Sequence, residues 1–229
     1  MKIREQEDAL FERWCSERGY NSFIADGVIC PEQWVEESRK IVFVLKEANA
    51  IGETLDWRDL LSDCEQSRNW GTTYNNVAHW AKALLEGGEY NEDISPVERS
   101  KWLCRISVVN LKKVAGKGTT IPKELIEYAQ NDAQYIWEQL CIYNPDVIVT
   151  CGDYLEWLLW EEILIPRQAT DDYLKEKPLG HSFKTKFPGK DTFTTVICWR
   201  HPSRTHNNRE LFEKMVEISQ GQYLKGTEI

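Results

Sequence analysis

Four short apolar runs, each walled off by polar residues and separated from the next by helical patterns, constrain this 229-residue chain more than anything else in it. They cover residues 41–45, 104–111, 147–151 and 193–199. Rich in valine and isoleucine, they read as strands buried on both faces. Between them, apolar residues recur at helical spacing: Val77, Trp80, Ala81 and Leu84, then Leu125, Ala129, Ala133, Ile136 and Leu140. Gly87-Gly88, Pro96, Pro122 and Asn144-Pro145 punctuate those helices. Strands alternating with helices imply right-handed crossovers. The expected class is therefore α/β, a three-layer α/β/α sandwich on a central four-stranded parallel sheet. The length suits one domain over residues 1–229. Residues 1–39 read as an N-terminal helical extension and 50–70 as an insertion. Residues 166–192 read as a long loop or a small hairpin.

A parallel sheet gathers the C-terminal ends of its strands along one edge, where open α/β folds bind ligands. The residues delivered there are Glu47 and Asn49, then Asn110, then Gly152 and Asp153, then His201 and Ser203. Each has a structural use as well as a chemical one. An acid after a strand caps a helix or acts as a general base. A strand-end asparagine folds onto its own backbone or reads a ligand edge with its donor and acceptor. Pro202 fixes the chain direction immediately after the last strand and aims the imidazole. Basic neighbours Arg200 and Arg204 favour a neutral ring at His201.

The net charge of −9 is unevenly spread. Residues 104–123 carry five basic residues and no acid, including Lys112, Lys113 and Lys117. Residues 177–209 carry seven basic residues against Asp191. Two basic stretches on an acidic body are expected to form a phosphate-binding face. Seven cysteines without a Cys-x-x-Cys spacing are expected to be reduced thiols, with no metal site. No Gly-x-Gly-x-x-Gly, P-loop or Gly-x-Ser-x-Gly motif is present, so no cofactor is expected. No apolar run is long enough to span a membrane, and the charged N-terminus does not read as a signal peptide. A cytoplasmic monomer without membrane association is expected.

In order and spacing, these motifs resemble the uracil-DNA glycosylase superfamily. Lys46-Glu47-Ala48-Asn49-Ala50 is similar to its first motif, Asn110 to the asparagine closing its second strand, and His201-Pro202-Ser203 to its last motif. The similarity spans roughly residues 40–215 and implies a uracil-DNA glycosylase-like fold. It also implies a DNA partner and metal-free hydrolysis of the N-glycosidic bond of a flipped-out base. By that likeness Glu47 would handle the sugar or water, Asn110 would read the base and His201 would assist the leaving group. Tyr74, in Gly71-Thr72-Thr73-Tyr74, would stack on the base, with Trp70 second and Asn49 and Ser203 lining the pocket. Lys46, Lys112, Lys113, Lys117 and Arg204 would meet DNA. Lys46 and Asn49 stand where the family has Gly and Pro, which points to a larger or modified base and to a role in defence against foreign DNA. Two other readings keep the same fold: a non-catalytic nucleic-acid-binding protein, and a hydrolase of free nucleosides or nucleotides.

Overall fold

The fold is that of a computed structural model, which describes residues 2–49, 55–63, 71–116, 118–152, 155–164, 180, 182–203 and 208–221. It is α/β, with helices on both faces of one six-stranded mixed sheet. The strands are β1 (Ile24–Ala25), β2 (Gly27–Val28), β3 (Ile41–Asn49), β4 (Leu55–Asp56), β5 (Ser107–Gly116), β6 (Val147–Cys151), β7 (Ser182–Thr185) and β8 (Thr194–Trp199). The large sheet runs β2-β5-β3-β6-β8-β7, and β1 pairs separately with β4. The expected four-stranded parallel sheet is corrected by this order. Its four strands are present, adjacent and parallel as β5, β3, β6 and β8, but antiparallel strands β2 and β7 extend the sheet at both edges. Two residues of β2 and four of β7 are too few to leave a periodic signal. Of the two readings of the stretch before β8, its described part is the hairpin, with Ser182 opposite Ile197.

The helices are α1 (Ile3–Arg18), α2 (Pro31–Glu36), α3 (Trp57–Ser62), α4 (Gly71–Leu85), α5 (Pro96–Leu103), α6 (Pro122–Tyr143), α7 (Leu155–Leu158, continuing as one π-helical stretch to Leu164) and α8 (Asn208–Ser219). Strand side chains alternate between the faces. Val42, Val44, Val109, Ile148 and Val196 pack under α1, α6 and α7. Ile41, Phe43, Val108, Val149 and Ile197 pack under α4, α5 and α8. Helix α1 belongs to the core, since Leu10, Phe11 and Trp14 are buried. No helix among the described residues is long and apolar enough to cross a membrane.

Two expectations about the second strand change. It begins at Ser107, because Cys104 caps α5 through a bond from its N–H to the Ser100 carbonyl. It also continues past Asn110 through Lys112 and Lys113. The reading of all cysteines as free thiols is corrected too: Cys30 is bonded to Cys104, their Cα atoms 4.7 Å apart. Pairing of β2 with β5 brings their flanking residues together, as the bond from Ile29 N–H to the Ile106 carbonyl illustrates. Cys15 and Cys151 are free.

A buried polar network closes the sheet beside β5. Asp26, between β1 and β2, accepts from the Asn110 backbone N–H at 2.8 Å, the Asn110 side-chain amide at 3.1 Å and Lys113 Nζ. Gln139 of α6 donates to the same carboxylate at 3.1 Å. Glu7 of α1 accepts from Val28 N–H, Tyr143 Oη and Arg58. Lys113 is fully buried, with its ammonium 5.3 Å above the Trp14 ring. Burial holds its pKa below the ordinary lysine value, although Asp26 opposes the shift.

Removing one partner of a buried pair strands the other charge. Lys113→Met should therefore lower stability in urea unfolding by about 3–5 kcal/mol, whereas substituting the exposed Lys123 should leave it unchanged. A second effect concerns His79, buried in α4 against the Tyr90 ring. Burial, helped by the Lys82 cation, holds its pKa below the usual 6.5. The unfolded chain takes the proton first as pH falls. The stability conferred by the neutral ring is thus complete above pH 6.5 and is lost as pH falls toward the folded-state pKa. The urea midpoint should drop between about pH 7 and pH 5, with a shallower drop in His79→Phe.

Candidate functional site

The parallel strands follow the spatial order β5-β3-β6-β8, so the chain winds outward in both directions from β3. The crevice between the C-terminal ends of β3 and β6 is the topological switch point, where such sheets bind ligands. Lys46 lies in the C-terminal half of β3, and Gly152 directly follows β6. Gly152 has φ +122°, a conformation that L side chains rarely adopt. A Cβ there would sit 3.1 Å from Lys46 Cε, 3.2 Å from His201 Cβ and 3.3 Å from His201 Cδ2. The missing side chain is what lets Lys46 and His201 crowd into the same crevice. The Gly152 N–H also donates to the Trp199 carbonyl at 2.9 Å, tying the ends of β6 and β8 together.

His201 is held by its own turn. The Ser203 N–H donates to Nδ1 at 3.2 Å, and Ser203 Oγ lies 2.8 Å from the same nitrogen. An Nδ1 that accepts from a backbone N–H leaves the proton of the neutral ring on Nε2. The turn is pinned from α4, where the buried Asn76 amide donates to the Pro202 carbonyl at 2.7 Å. Sequence reasoning missed Asn76. Its signal was a polar residue four positions before Trp80, on the buried stripe of an otherwise apolar helix.

Glu47 reaches to the β5 side of β3, away from the β6 side where Lys46 lies beside Gly152. Its carboxylate pairs with Lys112 Nζ at 2.9 Å across the β3–β5 register. It fills space that a Cβ on Gly116 would occupy. Lys112 also reaches Glu124 at 3.2 Å and lies 5.1 Å from the Tyr128 ring centre. Burial pulls the Lys112 pKa down, but its bonds to Glu47 and Glu124 outweigh that and leave it raised. Glu47 and His201 therefore do not face each other across a pocket. Lys46 is the residue of that motif that faces His201.

Asn110, Lys112 and Lys113 all have partners inside the protein. Asn110 is 1 % exposed, and its side-chain amide donates to Asp26. Lys112 and Lys113 are consumed by internal ion pairs, so neither presents a cation to phosphate. Arg105 in the same stretch is paired with Glu37 and Glu86. The basic run over residues 104–123 is, through these three residues, an internally neutralised segment. Lys117, Arg204 and Trp70 lie outside the described residues. Asn49 is exposed at the end of β3. Tyr74 is buried at the start of α4, 5.7 Å from the Trp57 ring. Burial and the nearby Asp26 carboxylate push its phenol far above the ordinary value, so it stays protonated. Cys151, under the crevice, has its thiol pKa pushed up by burial and is not a nucleophile at neutral pH.

No protein-family model and no curated protein matches the chain. Among the described residues no cluster of His, Cys, Asp and Glu could hold a metal ion. What the crevice offers is a half-buried ammonium beside an imidazole, with a carboxylate–ammonium–carboxylate triad on the opposite side of the same strand.

Because Asn76 carries the Pro202 carbonyl, Asn76→Ala should lower stability by about 1–3 kcal/mol. It should also shift the His201 ring signals in a two-dimensional carbon–proton NMR spectrum. Unmoved ring signals would show that the turn holds itself.

Proposed function

We propose that this chain hydrolyses the N-glycosidic bond of a nucleobase, with the base held at the β3–β6 switch point. One observation carries the reading: Lys46 and Glu47, adjacent on one strand, reach to opposite sides. Cleaving a glycosidic bond separates charge, leaving the sugar positive and the departing base negative. On one side Lys46 and His201 supply an ammonium and an Nε2–H donor, both suited to a developing base anion. On the other side Glu47, Glu124 and Lys112 carry one net negative charge, suited to the cationic sugar. Groups fixed before reaction need no reorganisation as the charge develops, which is why such preorganisation lowers barriers. The order of the motifs, Lys46-Glu47-Ala48, Asn110 and His201-Pro202-Ser203, supports the same reading through its resemblance to uracil-DNA glycosylases, as does the strand order. Tyr74, backed by Trp57, is the proposed stacking ring. Asn110 is proposed to hold Asp26 in place of reading the base.

DNA is the substrate that the resemblance favours. A specific observation favours free nucleosides or nucleotides as a second reading: Arg105, Lys112 and Lys113 are paired internally on a chain of net charge −9. A protein that neutralises many phosphates needs unpaired cations.

A mass-spectrometric screen for released bases separates the readings. It would use DNA carrying uracil, deaminated or modified bases, and nucleoside and nucleotide pools. His201→Ala is expected to slow release by about 10²–10³-fold. Glu47→Gln should slow it as well, through loss of the negative side of the site. No base released from any of these substrates would overturn the reading.

A further inference from the structure

We propose that Lys46 is a Schiff-base nucleophile, so that the site cuts the DNA strand after removing the base. The inference rests on the DNA form of the reading above. Lys112 and Lys113, the lysines nearest in the sheet, are bound to carboxylates. Lys46 differs: it is half-buried and, among the described residues, makes no ion pair or hydrogen bond. Its Cε rests in the space left by Gly152, beside the His201 ring. An amine without a carboxylate partner, held in a crevice, is the form in which lysine adds to carbonyl carbon. The backbone position of Lys46 also places it one residue from Glu47, the residue assigned to the sugar side.

The bonds balance without a further reactant than water. The base leaves with the electron pair of its bond to C1′ and takes a proton from Lys46 Nζ. The neutral amine then adds to C1′. As the bond from C1′ to O4′ breaks, one Nζ proton passes to O4′, and an iminium links Nζ to C1′. Loss of a C2′ proton to water breaks the bond from C3′ to its oxygen, and the phosphate departs with that electron pair. Water hydrolyses the remaining imine and returns Lys46.

Reductive trapping tests this directly. The protein is mixed with an oligonucleotide carrying a preformed abasic site, cyanoborohydride is added, and adducts are resolved and mapped by peptide mass. The expected result is a covalent adduct on Lys46, accompanied by strand scission without reductant. Lys46→Arg should reduce the adduct by at least about tenfold, with an unchanged urea midpoint, and Lys186→Arg, at an exposed position, should leave it intact. Absence of an adduct in the wild type, mapping to another lysine, or persistence in Lys46→Arg would each overturn the proposal. Base release by the wild type without trapping would overturn it while leaving the hydrolase reading standing. Trapping without base release from any substrate would support the Lys46 chemistry and remove the glycosidic reading instead.

Discussion

The buried Asp26–Lys113 pair is the interaction on which most of the molecule depends. It sits where five segments meet: α1, the β1–β2 link, β5, α6 and, through Glu7 and Arg58, α3. An ion pair in such a place is weak evidence for stability, because desolvating two charges offsets much of their attraction. It does impose geometry. Asp26 accepts from backbone N–H, amide and ammonium donors at once, so the link between β1 and β2 can occupy one position against β5. That closure covers the β5 edge, which would otherwise offer unpaired backbone groups to another chain. The segment that reads as an N-terminal extension is thereby part of the core, and so is Arg58 from the segment that reads as an insertion.

The same network explains why charge along the sequence misleads. A lysine written next to another lysine looks like part of a phosphate-binding surface. Lys112 and Lys113 instead each find a carboxylate supplied by another segment of the chain. Asp26 and Glu47 are far away in sequence, and Glu124 falls just beyond the basic stretch, so their pairing was invisible to a count of charges within it. Arg105 follows the same rule with Glu37 and Glu86. Net charge per stretch describes a surface only where the residues remain on it.

What the sequence made legible was whatever depends on local pattern. The third strand, residues 147–151, was read with its observed limits, because Pro145 stops the helix before it and Gly152 ends it. The helix from Pro122 was read from its apolar stripe. The edge strands β2 and β7 were not readable as strands, since their hydrogen bonds come from partners and not from periodicity. At the site, the sequence located the motif on β3 and the turn at His201. It misjudged which residue of the motif faces that turn. Lys46 and Glu47 are adjacent, and the choice between them depends on the pleat phase at the strand's end, where the register with β5 shifts between Glu47 and Asn49. The partner of Asn110 was not legible for a related reason: Asp26 lies 84 residues away in sequence.

Gly152 shapes the crevice at the centre of the sheet's C-terminal edge. Any side chain there would enter the volume shared by Lys46 and His201. Glycine at that point weakens no regular element, since it follows β6 and adopts a φ that other residues avoid. Its effect is to let a cation and an imidazole sit over the centre of the sheet. The imidazole is oriented by Ser203, whose N–H donates to Nδ1. In the proposed glycosidic reading, Lys46 and His201 on one side of β3 and Glu47 with its triad on the other would meet the opposite charges that develop as the bond breaks.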